Sequence, residues 1–462
     1  MLRRRRALAI TALTVLLLGA GTVAAILRNS AVASLVLYRV PLGPNPRSIS
    51  FDERTGVAFV GDDNGVSVVD TRHGSLLRHI ADTAPSHNVI AVDPRAGHAF
   101  VIGPDAATLS MLDARDGRLL RTIVVQRDGY GIPDETLEEV AVDAVHGRAV
   151  VVGNGVDTLV SIVDSHNGVV LHTVVVPGSP GGTAIDAVGQ RAFVLARDSL
   201  GASTVSAIDM RNGSLPRTVA LGRLFGVSPD LRIAVDGRSG RLFIGDTVGN
   251  VGIFDGRTLR LVTNANVGLL PGTFAVDPRH GYLLATNPLN DSISVLDPRR
   301  GRLLRAMSLS RDSTSSTASG TTVGTKPTRV TIGTAVRVNG ESLTVDTSTN
   351  HVLLATRRFF YLSPGGAGPL SDRGSVMALN IAAGAIRSIP VGLDPVAVAA
   401  DDAGDHLILV DAGGAMLVHD PDPWGWTPDW LRRLLPWLPT PTSHVRTVSP
   451  ALDVIDATHQ GL

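Results

Sequence analysis

Over most of its length the chain alternates short apolar runs with polar punctuation, and the punctuation repeats. An apolar run ends on Asp, a Gly follows about four residues later, and a second apolar run begins at once. The first Asp recurs as Asp52, Asp93, Asp143, Asp186, Asp236, Asp277, Asp346 and Asp401, at spacings of 41 to 69 residues. Its partner is Gly56, Gly97, Gly147, Gly189, Gly240, Gly281 or Gly404, with Asn350 once in its place. A second Asp follows roughly twenty residues on, as Asp70, Asp113, Asp164, Asp209, Asp255, Asp297 and Asp420, with Asn380 in the seventh repeat. Gly again stands four residues later in most repeats, as in Gly74, Gly117 and Gly168. An Asp at the first turn position accepts bonds from the amides just ahead, and Gly supplies the positive φ that closes a tight hairpin. Pro after Asp, at Asp93, Asp277 and Asp297, suits the second position of a type I turn. These aspartates are therefore expected to be scaffold.

The runs between the turns are rich in Val, Ile, Leu and Ala, as in Val57 to Val60, Ala149 to Val152 and Leu407 to Val410. Each reads as the second strand of a sheet, with a third strand before the second Asp. A fourth carries Leu-Leu-Arg-x-Ile or a relative, as in Leu119 to Ile123. Four short strands repeated at this period predict the blades of an all-β propeller rather than a sandwich. Eight repeats imply eight blades, and a degenerate seventh repeat leaves seven as the alternative. Residues 35–42 have the composition of a fourth strand, and joined to the last repeat they would close the ring without a free edge. His444 to Val448 competes for that place. The predicted propeller spans residues 35–420, between an N-terminal segment, 1–34, and a tail, 421–462.

In the sixth repeat, Leu283-Leu-Ala-Thr-Asn287 is followed by Asn290-Asp-Ser-Ile-Ser-Val-Leu-Asp297. This resembles the YVTN-repeat, or YncE-like, propellers, with the first and third repeats as looser versions. The resemblance implies a propeller over roughly residues 35–420 and says little about function. No Trp lies inside a repeat, so the WD signature is missing.

Arg3 to Arg6 precede an uncharged run from Ala7 to Leu27, which as a helix would be ~31 Å long, enough for a ~30 Å hydrocarbon layer. The basic flank predicts a cytoplasmic N-terminus and a propeller on the extracytoplasmic side of the cytoplasmic membrane. The run exceeds a usual signal-peptide core, so residues 7–27 are expected to stay as an anchor. Ala31-Val32-Ala33 leaves cleavage and secretion as the alternative. Lys+Arg and Asp+Glu are both 42, which argues against nucleic acid. Cysteine is absent, so thiolate metal sites, disulfides and thiol catalysis are excluded. Aromatics are only 4% of the chain, so the core must be aliphatic.

Ser308 to Gly340 reads as a surface loop, and Arg357 to Gly374 as a second insertion whose Arg357, Arg358, Phe359, Phe360 and Tyr361 would cap a blade or form a binding lip. All four tryptophans, Trp424, Trp426, Trp430 and Trp437, fall in the tail, where Thr427-Pro428-Asp429 opens a short helix that Pro436 stops. The helix would pack on the propeller or sit at a membrane interface. Six of the thirteen histidines flank turn glycines, which argues for scaffold.

No catalytic, metal-binding or cofactor motif emerges. The expected ligand face is the one where second-to-third strand loops gather. Those loops carry Asp62, Asn64, Asp105, Asn154, Asp157, Arg197, Asp198, Asp246, Asn287, Asn290, Arg357 and Arg358. The leading expectation is a binding or scaffolding module for a protein, peptide or polymer of the cell envelope. The alternative is a metal-dependent lactonase or lyase with its site at the axial opening.

Overall fold

The computed structural model describes residues 36–81, 90–103, 108–125, 136–155, 157–222, 225, 231–269, 271–277, 279–287, 292–309, 331–346, 351–363, 370–381, 383–391, 394–401, 406–419 and 443–456. Among them the regular elements are all strands, grouped into eight antiparallel-built sheets. Seven consecutive blades occupy 48–81, 90–124, 136–176, 179–220, 232–266, 274–308 and 331–391. Each eighth-blade strand has its counterpart in the others: Pro395–Asp401, His406–Asp411, Ala451–Asp456 and, outermost, Val36–Pro41. First strands touch their neighbours all the way round, the eighth meeting the first. The protein is an eight-bladed β-propeller.

Eight buried apolar clusters lie between the blades, one at each junction. In the first blade's second strand, Val57–Asp62, Phe59 faces the second blade while Ala58 and Val60 face the eighth. A strand with neighbours on both faces has no polar side to present, which is why these strands read as unbroken apolar runs. Phe59, Phe100, Phe193 and Phe243 occupy equivalent places and are fully buried. The fourth strands are wetter, as in Ser75–Ala81, where Leu76 and Leu77 are exposed.

Two polar devices supplement the cores. A serine in the middle of the third strand is buried and bonds outward: Ser161 Oγ to Thr173, Ser206 Oγ to Thr218, and Ser294 Oγ to the Val267 carbonyl at 2.7 Å. The last of these pins the strand to the chain leaving the preceding blade. The arginine of the fourth-strand motif reaches the next blade. Arg78 donates to the Asp116 carbonyl, Arg121 to that of Asn167 and Arg217 to that of Thr258, each in the following blade's second turn.

Ring closure follows the expected strand, with a correction to its partner. Val36–Pro41 does close the eighth blade, pairing Val40 with Leu452 and Arg39 with Asp453. The third strand there is Ala451–Asp456, not the stretch ending at Asp420, so the sheet runs beyond residue 420. Both stretches end an apolar run on an acid or its neighbour. It is Ala451–Asp456 that pairs with the second strand, and it is buried on both faces. Gly414–His419 instead forms a hairpin with Ser443–Val448, the competitor for the closing position. That hairpin touches the seventh blade's sheet through Ser371 and Met416.

The stretch from Ser308 to Gly340 is not wholly a loop. Its end, a run of alternating β-branched residues, joins strand Thr331–Asp346 and pairs Thr331 to Val338 with Thr356 to Ser363. Arg357 to Gly374 likewise extends a hairpin of strands His351–Ser363 and Leu370–Asn380. Residues 7–27 and the tryptophan-bearing helix lie outside the described residues. No helix among the described residues is long and apolar enough to cross a membrane.

Candidate functional site

In an antiparallel four-strand meander, the first-to-second and third-to-fourth turns emerge at one end and the second-to-third loops at the other. The described Asp/Gly turns of the ring therefore share one face, the turn face, and the described members of the expected ligand set share the opposite loop face.

On the turn face the aspartates are consumed by their own turns. Asp52, Asp93, Asp143 and Asp277 are buried to 1% exposure or less. Asp143 accepts the Val145 and His146 amides and His146 Nδ1, and Asp277 does the same with Arg279 and His280. Asp93 adds a bond from Ser165 Oγ of the next blade at 2.5 Å. Gly147, Gly240 and Gly281 take φ of 64° to 70°. Among the described turns, two place a residue other than Gly at the left-handed position: Gln190 (φ 52°), next to Gly189, and Leu259 (φ 48°), four residues after Asp255. The second-turn carboxylate Asp209 is held below its ordinary value by Arg211, which bonds it at 2.6 Å.

On the loop face the expected residues are likewise tied into local structure. Asp62 is buried and accepts the Asn64 amide and Ser67 Oγ. Asp157 accepts the Gly178 amide, Asp198 those of Leu200 and Ala202, and Asp246 those of Val248 and Asn250. Asn154 donates to Glu138 at 3.3 Å, and buried Asn287 donates to Ser294 while its Oδ1 has no partner. Arg197 ends the fourth blade's second strand and has a partner of its own. Arg357 and Arg358 lie on a strand, in the seventh blade's extended hairpin. Asp105 and Asn290 lie outside the described residues. The described members are brought to one face, and their carboxylates accept from amides of their own loops or, for Asp157, of the neighbouring blade-to-blade connection.

Two features were not foreseen. The first is Glu139, on the first strand of the third blade, Thr136–Asp143, beside a register irregularity. Burial pushes its carboxyl up to about 7, with Thr183 on the fourth blade's first strand pulling the other way. The second is a cleft of about 680 Å³ on the turn face, between the fifth and sixth blades. Its walls include Arg238, Arg241, Arg279, Arg299 and Arg300, with Asp236 and Asp297 as the acids. The sequence signal for it is the basic content of three adjacent turns, around Arg238, Arg279 and Arg299, which the turn motif masked. Among the described residues no group of three His, Asp or Glu side chains is placed to hold a metal.

No protein-family profile matches the chain, and no curated protein does. Solved structures do. The dihydro-heme d1 dehydrogenase NirN in complex with DHE is 13% identical with a TM-score of 0.54, over 76% of this chain and 67% of its own. The Kuenenia stuttgartiensis hydrazine synthase is 12% identical with a TM-score of 0.49, over 76% of this chain and 97% of its own. At 13% identity the likeness to NirN is one of fold.

Proposed function

We propose that the chain is a membrane-tethered binding propeller of the YVTN type, displayed on the extracytoplasmic side. Its loop face would receive a protein, peptide or polymer partner of the envelope. The observation that carries this reading is the direction of the chain's excursions. The seventh blade's strands run past the ring to residues 331 and 363, and the eighth blade's excursion folds as the hairpin of Gly414–His419 with Ser443–Val448. Both leave the ring through second-to-third strand connections, on the loop face, and they meet at Ser371 and Met416. A β-structure projecting beyond a closed ring offers sheet edges to which an extended segment can add.

A tether at residues 7–27 would give the same orientation. Val36 pairs with Ile455 near the turn-face end of the closing strand, so the segment from 7–27 would enter at the turn face and leave the loop face pointing away from the bilayer. Membrane fractionation of the full chain against a form lacking residues 7–27 tests the tether. Replacing residues 413–449 by a short turn tests the loop face. Capture of envelope partners should be lost in that variant while the melting temperature is kept. Undiminished capture would refute the loop-face reading.

In the second reading, a metal-dependent lactonase or lyase, Glu139 is the group to test for proton transfer, since it stands on a first strand of the ring and burial pushes its carboxyl up to about 7. Glu139→Gln would abolish any such turnover, and turnover that survives it would remove Glu139 from the mechanism.

A further inference from the structure

The turn-face cleft between the fifth and sixth blades takes no part in the loop-face reading. Its size, about 680 Å³, is that of a small-molecule site. Five arginines against two aspartates leave its wall with a formal charge of +3, in a chain whose overall balance is zero.

The two acids are already engaged. Asp236 is 5% exposed and accepts the Arg238 amide at 3.0 Å and Ser239 Oγ at 2.5 Å. Asp297 is 6% exposed and accepts the Arg299 amide at 2.9 Å, with Arg300 3.5 Å from its other oxygen. Arg238 is held by the Arg279 carbonyl at 2.9 Å, a neutral acceptor that fixes the guanidinium without cancelling its charge. The same bond locks the fifth blade's turn to the sixth's, so the wall is preformed. One side is stiffened further by His280, bonded to Asp277 at 2.7 Å and stacked on Tyr282 with ring centres 5.3 Å apart. Guanidinium groups on a rigid, concave wall match the oxygens of a phosphate, which they bond in pairs.

We infer that this cleft is a phosphate-binding site, taking a phosphate ester or pyrophosphate-like group with at least two negative charges. A soluble phosphate monoester and a lipid headgroup ending in a phosphate monoester present the same chemistry. The lipid is within reach if residues 7–27 span a bilayer. Only eight residues, 28–35, separate that segment from Val36, and they would cover at most about 28 Å.

The test uses the full chain in nanodiscs, titrated with pyrophosphate at constant ionic strength by calorimetry. Wild type should bind pyrophosphate at least about tenfold more tightly than chloride-matched controls allow for screening alone. Arg299→Ala with Arg300→Ala should weaken it by about tenfold or more, the loss expected if even one charge-assisted contact is removed. Arg211→Ala, on the fourth blade's exposed turn, should leave it unchanged. Should the double alanine variant fail to fold, Arg299→Gln replaces it, with the same direction expected. Comparing discs of neutral lipid with discs containing one third phosphatidic acid, an anionic lipid whose headgroup is a phosphate monoester, separates the sources. Weaker apparent pyrophosphate affinity in the anionic discs, abolished by the double variant, identifies the headgroup as occupant. Equal affinity in both identifies a soluble phosphate. Absent or substitution-insensitive pyrophosphate binding overturns the proposal, whatever the outcome for the tether, which fractionation reads independently.

Discussion

The recurring Asp does its work through geometry rather than charge. Its carboxylate stands in for a backbone acceptor at the head of each turn, and the residue four positions on must adopt a left-handed φ. At Gly147 that φ is 64°, and an added Cβ would also run into the His166 ring. Gly147→Ala should therefore destabilise the fold by about 1–2 kcal/mol or more, read as a lowered denaturation midpoint. Gln190 pays the same conformational cost in the wild type, so Gln190→Gly should stabilise by about 0.5–1 kcal/mol after allowing for the freer unfolded chain. Glu139 acts in the opposite sense to a paired carboxylate. Burial raises it to about 7 in the folded state from an unfolded value of 4.5, so its proton favours folding. That contribution is fully present below pH 4.5 and is lost as pH rises through about 7. A shift of this size corresponds to about 3 kcal/mol. Glu139→Gln should accordingly raise stability at pH 8 relative to wild type and change it little at pH 4. Equal effects at both pH values would show that the carboxyl is solvated.

At the scale of the strand, what was legible was whatever repeats. Turn position, the unbroken apolar second strand and the closing strand at 35–42 all follow from the need to bury two faces of each blade. The arginine of the Leu-Leu-Arg motif was visible too, but its partner, a carbonyl in the next blade's turn, was not, because no local pattern encodes a contact forty residues away. Arg121→Ala should remove one such tie and cost about 1 kcal/mol, with Arg121→Lys recovering part of it. Phe193→Ala, which opens the junction between the fourth and fifth blades, should cost about 3–5 kcal/mol. The third strand of the last blade was misplaced because Gly414–His419 satisfies the apolar rule as well as Ala451–Asp456 does. A rule about one strand cannot choose between two candidates whose difference lies in their neighbours. The candidate sites were less legible still. Loop aspartates look alike whether they bind a ligand or cap a turn, and the arginine cleft is assembled from two blades.

For the whole molecule, the ring is closed by strand pairing and not by a covalent link: Val36–Pro41, near the start of the chain, hydrogen-bonds to Ala451–Asp456, near its end. Asp453 sits at this seam. Burial pushes its carboxyl up to about 6, Arg39 at 3.0 Å opposes that, and nearby Asp411 adds to it. The seam fixes where the segment preceding Val36 joins the ring, at the turn-face end of the eighth blade's outermost strand. The absence of cysteine makes the seam directly measurable, since an introduced pair has no competitor. Arg39 and Asp453 are direct cross-strand partners, a separation that a disulfide can span. In the Arg39→Cys, Asp453→Cys double variant, mild oxidation should give an intramolecular disulfide in nearly every molecule and raise the melting temperature. A free, fully reactive thiol pair after oxidation would contradict the closed eight-bladed ring.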